Sequence, residues 1–139
     1  MPKFYLLFYL CFVINLASCA QWIGFPSYFD PTTYKNLTDL KPRVLMLYDT
    51  FGGDELNQKD IDQIRLKLAQ MYEYEKGKGE RNRETIAQLQ IIQQMFERHL
   101  EDRMTGGSWT KTHLNNQKEN IGEAFDIAIR TESLKNKNE

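Results

Sequence analysis

The sequence predicts an all-α fold, four helices behind an extended aromatic N-terminal arm, and three observations carry that prediction. Apolar side chains recur at three- and four-residue spacing in four separate stretches. Glycines break the pattern, as Gly77-Lys78-Gly79 and as Gly106-Gly107. A capping side chain, Asn57, opens the second stretch, with Asp60 three residues on.

Met1 to Ala20 reads as a secretory signal: Lys3 is its only charge, Phe4 to Ile14 form an apolar run, and Ser18 and Ala20 put small residues before a cleavage point at Gln21. That run falls short of the roughly 20 apolar residues of a spanning helix, so no transmembrane anchor is expected after cleavage. The alternative is a bacterial lipoprotein anchored at Cys19, because Leu16-Ala17-Ser18-Cys19 also fits a lipobox. Cys11 and Cys19 both lie in this leader, so the cleaved domain has no disulfide and must rest on packing, a bound ion or a partner. Residues 21–38 form the arm, with Trp22, Phe25, Tyr28, Phe29 and Tyr34 among Pro26 and Pro31; it covers the core or docks a partner. Asn36-Leu37-Thr38 is an N-glycosylation sequon if the source is eukaryotic.

Residues 39–133 are expected to form the helical domain, before a polar tail at 134–139. The first helix is short, Asp39 to Tyr48, with Pro42 in its first turn and Leu40, Val44, Leu47 and Tyr48 on one side. The second runs from Asn57 to Lys76 on Ile61, Ile64, Leu68, Met71 and Tyr72. The third, Glu84 to Arg103, carries Ile86, Leu89, Ile92, Phe96 and Leu100, flanked by Ile91 and Met95. The fourth, His113 to Ser133, repeats less regularly through Leu114, Ile121, Phe125, Ala128 and Ile129.

The joints after the first and third helices each open with Asp. Asp49 to Asp60 aligns without gaps to a twelve-residue calcium loop, with Asp49 at position 1, Leu56 at 8, Asn57 at 9 and Asp60 at 12. Asp102 to His113 does the same with Asp102 at 1, Gly107 at 6, Trp109 at 8 and Thr110 at 9. On these residues the chain resembles the EF-hand superfamily from about Leu40 to Ile129, in a degenerate, paired form similar to small luminal EF-hand adaptors of the secretory pathway. The departures are large: Phe51 and Met104 stand at position 3, Gly53 and Gly106 at 5, and a short Asp60 or His113 at 12. Without those oxygens the first loop is expected to hold calcium only at about 10⁻⁴ M or weaker, and the second none. The resemblance implies a two-stranded ribbon joining Glu55-Leu56-Asn57 to Ser108-Trp109-Thr110, with Leu56 packed on Trp109, and a loop pair that serves as a fixed scaffold.

Acidic and basic residues number 19 and 18, so no basic excess exists to hold a nucleic acid. Neither G-x-S-x-G nor H-E-x-x-H occurs, and no enzyme is expected. His99 reads as a helix-surface histidine and His113 as a loop histidine, while Glu73/Glu75 and Glu97/Glu101 read as solvated helix faces. The resulting expectation is a secreted or luminal non-enzymatic interaction module, with no cofactor beyond weakly bound calcium and a protein partner held in a groove lined by Leu68, Met71, Met95, Phe96 and Phe125. The same residues read more simply as core. The alternative function is a small helical carrier of lipid or another apolar ligand.

Overall fold

Asp30 starts the first helix. Its carboxylate accepts hydrogen bonds from the Thr32 and Thr33 N–H groups at 2.7 and 3.4 Å, and Pro31 fills the first turn, where a missing N–H costs nothing. The computed structural model describes residues 28–136. It is all-helical: α1 spans Pro31–Asp49, α2 Gln58–Gly77, α3 Arg83–Gly106 and α4 Lys111–Ser133, with a 3-10 turn at Glu80–Asn82. Among the described residues no helix is long and apolar enough to cross a membrane.

The expected start of α1 at Asp39 is corrected. The helix begins eight residues earlier, so residues 31–38 of the supposed arm are helical and bury Thr33 and Leu37. Pro42 therefore sits inside α1, where it removes one backbone hydrogen bond without ending the helix. The leader, residues 21–27 of the arm and the end of the polar tail lie outside the described residues.

Side-chain pairs fix the packing. Lys41 and Lys118 join α1 to α4 through Asp126 and Asp49; Arg65 and Tyr72 on α2 meet Glu97 and Gln90 on α3; Gln88 and Asp102 on α3 meet Thr131 and His113 on α4. In each pair residue numbers rise on one helix as they fall on the other. The helices are thus antiparallel neighbours in a closed ring, with α4 packed back on α1.

The ring carries an internal repeat. Buried Thr33, Leu37, Leu40, Val44, Leu47 and Tyr48 on α1 recur 52 positions later as buried Thr85, Leu89, Ile92, Phe96, His99 and Leu100 on α3. Buried Ile64, Leu68, Met71 and Glu75 on α2 recur 57 positions later as Ile121, Phe125, Ala128 and Glu132 on α4. The molecule is two helical hairpins of one design packed face to face.

Each hairpin closes its open end with the same polar contact. Thr33 donates to Glu75, whose carboxylate also takes Lys78 at 2.9 Å; Thr85 donates to Glu132 at 3.5 Å, and Glu132 takes Lys135 at 2.6 Å. Lys78 reaches Asp30 at 2.5 Å and Lys135 reaches Asn82 at 3.0 Å, the residue before each hairpin's first helix. Glu75 was expected to be solvated. It is buried because these donors satisfy its oxygens, and the lysine three residues on also offsets the negative helix end. Burial alone would raise the Asp30 pKa, but hydrogen bonds from Lys78, Tyr74 and the Thr32 N–H hold it far below the usual carboxylate range. The chain enters at this end: the Phe29 N–H donates to the Asn136 carbonyl at 2.9 Å, and Tyr28 and Asn136 pair in parallel.

Candidate functional site

Along the outside of α3 and α4 runs an open groove of about 580 Å³. Its α3 wall is Gln88, Ile91, Met95, Arg98, His99 and Asp102, and its α4 wall is His113, Gln117, Asn120, Glu123, Ala124 and Ile127. The antiparallel packing gathers Ile91, Met95, Ala124 and Ile127 at the end nearer the chain termini, and the polar residues at the end nearer the loops. Ile91 and Ile127 are 53 % and 41 % exposed, an unusual cost for two β-branched apolar side chains facing each other across a cleft. Gln88 closes the apolar end. Its amide nitrogen donates to Thr131 at 2.7 Å, while its Oε1 is buried without a donor.

The repeat supplies the comparison that singles this groove out. A second groove, of about 290 Å³, lies between α1 and α2 and is lined by Arg43, Met46, Leu47, Thr50, Asp60, Gln63 and Lys67 among others. At the repeat-equivalent positions Ile91 becomes Asp39, Met95 becomes Arg43, Ala124 becomes Lys67 and Ile127 becomes Gln70. The repeat therefore accepts apolar or polar side chains at these four positions, so the apolar choice on α3 and α4 is not demanded by the fold.

At the polar end the groove meets an aromatic cluster. Tyr48 stacks on Phe51 with ring centroids 4.9 Å apart, Trp109 stands edge-on to Phe51 at 5.0 Å, and His113 stands edge-on to Trp109 at 4.7 Å. Tyr48 and His99 share a buried hydrogen bond of 2.8 Å from the phenol oxygen to Nδ1. Burial raises the Tyr48 pKa, so its O–H stays protonated. Burial, with the Arg98 charge behind it, pushes His99 down to about 4 against the opposing pull of Asp102, so the ring is neutral near pH 7. His99 is a core residue, not the surface histidine expected, and His113 lies in the first turn of α4 with its Nε2 2.9 Å from Asp102.

The two loops meet, by a different route from the expected ribbon. The Trp109 N–H donates to the Phe51 carbonyl at 2.9 Å, Arg103 donates to the carbonyls of Phe51 and Gly53 at 2.8 and 2.5 Å, and Ser108 donates to Gly53 at 2.9 Å. Residues 55–57 and 108–110 form no strand, and the ring against Trp109 is Phe51, at loop position 3, while Leu56 is half-buried at the core's edge.

Each expected ion ligand has a protein partner. Asp49 ends α1 and pairs with Lys118 on α4. Asn57 spends its oxygen capping the Asp60 N–H at 3.3 Å, and its amide nitrogen donates to the Asp60 carboxylate at 2.6 Å. Of the expected groove residues, Leu68, Met71, Phe96 and Phe125 are buried in the shared core; only Met95 lines an open cleft. Asn36 lies within α1, half-buried, and accepts from Lys67 at 2.9 Å, so the sequon sits in a helix rather than a loop. Sequence reasoning named Ile91 only as a flank of the third stripe and missed Ile127. Their signal was available as apolar residues lying off the buried stripe of each helix.

No family model, curated protein or solved structure matches the chain.

Proposed function

We propose that the protein is a non-enzymatic helical interaction module whose α3–α4 groove receives an apolar segment of a protein partner. The observation that carries this reading is the contrast between repeat-equivalent positions: Ile91, Met95, Ala124 and Ile127 line the α3–α4 groove, where the first hairpin has Asp39, Arg43, Lys67 and Gln70. Apolar side chains held half in water without structural need mark a surface meant to be covered. Leu68, Met71, Phe96 and Phe125, expected to line the partner groove, are packed into the core, and of that set Met95 lines the α3–α4 groove.

The EF-hand relationship stays a proposal, supported by the paired hairpins, the loops that hydrogen-bond to each other, and Gly107 at φ 79° in the turn position. We read the loops as a scaffold with weak or lost calcium binding, supported by Asp49 held on Lys118 and Asn57 held on Asp60. Secretion or residence in the secretory lumen rests on the leader alone.

The test is capture from the native source with the parent protein, the pair Ile91→Arg/Ile127→Arg, and Leu66→Arg as an exposed control on α2. A partner kept by the parent and control and lost by the pair supports the reading. A partner retained by the pair overturns it.

A further inference from the structure

We propose that the partner in the α3–α4 groove is a second copy of this chain, docked about a two-fold axis parallel to the helices. The proposal rests on the groove being a docking site and names what fills it. A two-fold contact uses the same patch twice, so every side chain must find its complement at the matching place of that patch. The antiparallel register of α3 and α4 fixes those places. Gln88 lies level with Thr131, and Asp102 with His113. Counted from the nearer pair, Ile91 is three residues past Gln88 and Ile127 four before Thr131, so the two are level within one residue. Met95 and Ala124, seven residues from Gln88 and Thr131, match.

An axis parallel to the helices lays α3 of one copy over α4 of the other without changing level. Helix direction is kept, so every helix has only antiparallel neighbours, as in an antiparallel four-helix bundle. Ile91 and Ile127 of both copies then form one layer of that bundle, and Met95 and Ala124 of both form the next. The side chains that are 53 % and 41 % exposed in one copy, Ile91 and Ile127, become its centre. From Gln88 to Asp102 the groove runs about 21 Å, and two helices about 10 Å wide give about 400 Å² per copy, the size of a weak, reversible contact.

The charges choose this axis over the other that the patch allows. Arg98 on α3 and Glu123 on α4 line the groove, both exposed, and among the described residues neither is in an ion pair. With the axis along the helices, Arg98 faces α4 of the second copy about 6 Å from the level of its Glu123, a gap an arginine side chain spans. The contact forms twice. Neither charge meets its own sign: His113 is the only basic residue of the α4 wall, and Asp102, the one carboxylate of the α3 wall, is held by His113 at 2.9 Å. An axis across the helices would stack α3 on α3, setting Arg98 on Gln88 and Glu123 on Ile127, so that both charges lose water without a partner. The repeat does not demand these charges. At the equivalent positions the first hairpin has Met46 and Leu66.

Sedimentation equilibrium of the full chain tests the proposal. The mass is expected to rise from one chain toward two between about 1 µM and about 1 mM. Arg98→Glu and Glu123→Arg are each expected to weaken association at least about tenfold, and the two together to restore it to within about threefold of the parent. The pair Ile91→Arg/Ile127→Arg is expected to leave a monomer and Leu66→Arg a parent-like dimer, with the far-UV helical signal unchanged in all. A parent that stays monomeric, single reversals without effect, or a double reversal as weak as the singles each overturns the proposal. Its failure and that of the docking groove are distinguishable. A monomeric parent, with capture of another protein lost by the pair, retires the second copy and keeps the groove; association and capture both unmoved by the pair retire the groove as well.

Discussion

The two hairpins share a buried pattern and differ in what they add to it. In the α1–α2 hairpin the polar contact at the open end is Thr33–Glu75–Lys78, and in the α3–α4 hairpin it is Thr85–Glu132–Lys135. At the other end they diverge: Leu47 in the first is His99 in the second, and Phe51 is Arg103. The helices differ as well, with 19 and 20 residues in the first hairpin and 24 and 23 in the second. What is common to both halves is what the fold requires, and the rest is free to serve function. By that criterion the buried carboxylates belong to the fold, whereas the apolar groove lining does not.

The sharpest way to break this comparison is at the shared carboxylates. Glu132 is fully buried and its two oxygens take the Asp30 N–H at 2.7 Å and Lys135 at 2.6 Å. Glu132→Ala would leave the Lys135 ammonium, whose side chain is 6 % exposed, with only the Asn82 carbonyl oxygen. A loss of about 3–5 kcal/mol is expected from urea unfolding. Glu75→Ala should cost less, because its lysine is 22 % exposed and keeps Asp30. Equal losses would mean that the two ends are equivalent in energy as well as in design.

The loop end tests where the halves differ. Trp109→Ala should cost about 3 kcal/mol, at the low end for a buried aromatic, because its indole N–H is buried without an acceptor and its removal returns part of the loss. A double-mutant cycle should couple Trp109 to Phe51 by about 0.5–1.5 kcal/mol and leave it uncoupled from Leu56. The reverse pattern would restore the ribbon that the loop resemblance implied.

Much of this fold was legible in the sequence, for a physical reason. Ile61, Ile64, Leu68 and Met71, and Leu89, Ile92, Phe96 and Leu100, pack on a bundle core, where burial repeats at helical spacing and so leaves a stripe. The start of α1 was misread because Pro42 competes with Asp30-Pro31 as a start signal, and a helix already held on two neighbours tolerates the interior proline. The site was less legible. Glu75, Glu132 and His99 look like surface residues until their partners 42, 47 and 51 positions away are known. The groove shows only as apolar residues off the stripe, and their meaning comes from the matching positions of the other hairpin.

His99 gives the halves different responses to acid. Its folded pKa, about 4, lies below the ordinary value of 6.5, so the unfolded chain binds the proton more readily. Stability from this residue is complete above about pH 6.5 and falls as pH drops toward 4, by about 2 kcal/mol. His99→Leu, which copies Leu47 of the other hairpin, should flatten unfolding midpoints between pH 6.5 and 4.5. An unchanged slope would place the titration elsewhere.

The smallest effect concerns the first loop. Asp49 and Lys118 are 55 % and 31 % exposed, so their pair is worth no more than about 0.5 kcal/mol, and Asp49→Ala should barely move the unfolding midpoint. If Asp49 serves the bundle through Lys118, the midpoint is the same in EGTA and in millimolar calcium. If the loop closes on an ion at about 10⁻⁴ M, calcium at about 1 mM adds about 1.4 kcal/mol, and Asp49→Ala removes the gain. The second outcome requires Asp49 to leave Lys118, so Lys118→Met should then strengthen calcium binding by freeing the carboxylate. A calcium gain unaffected by Lys118→Met would put the ion at another site and leave the loop a scaffold.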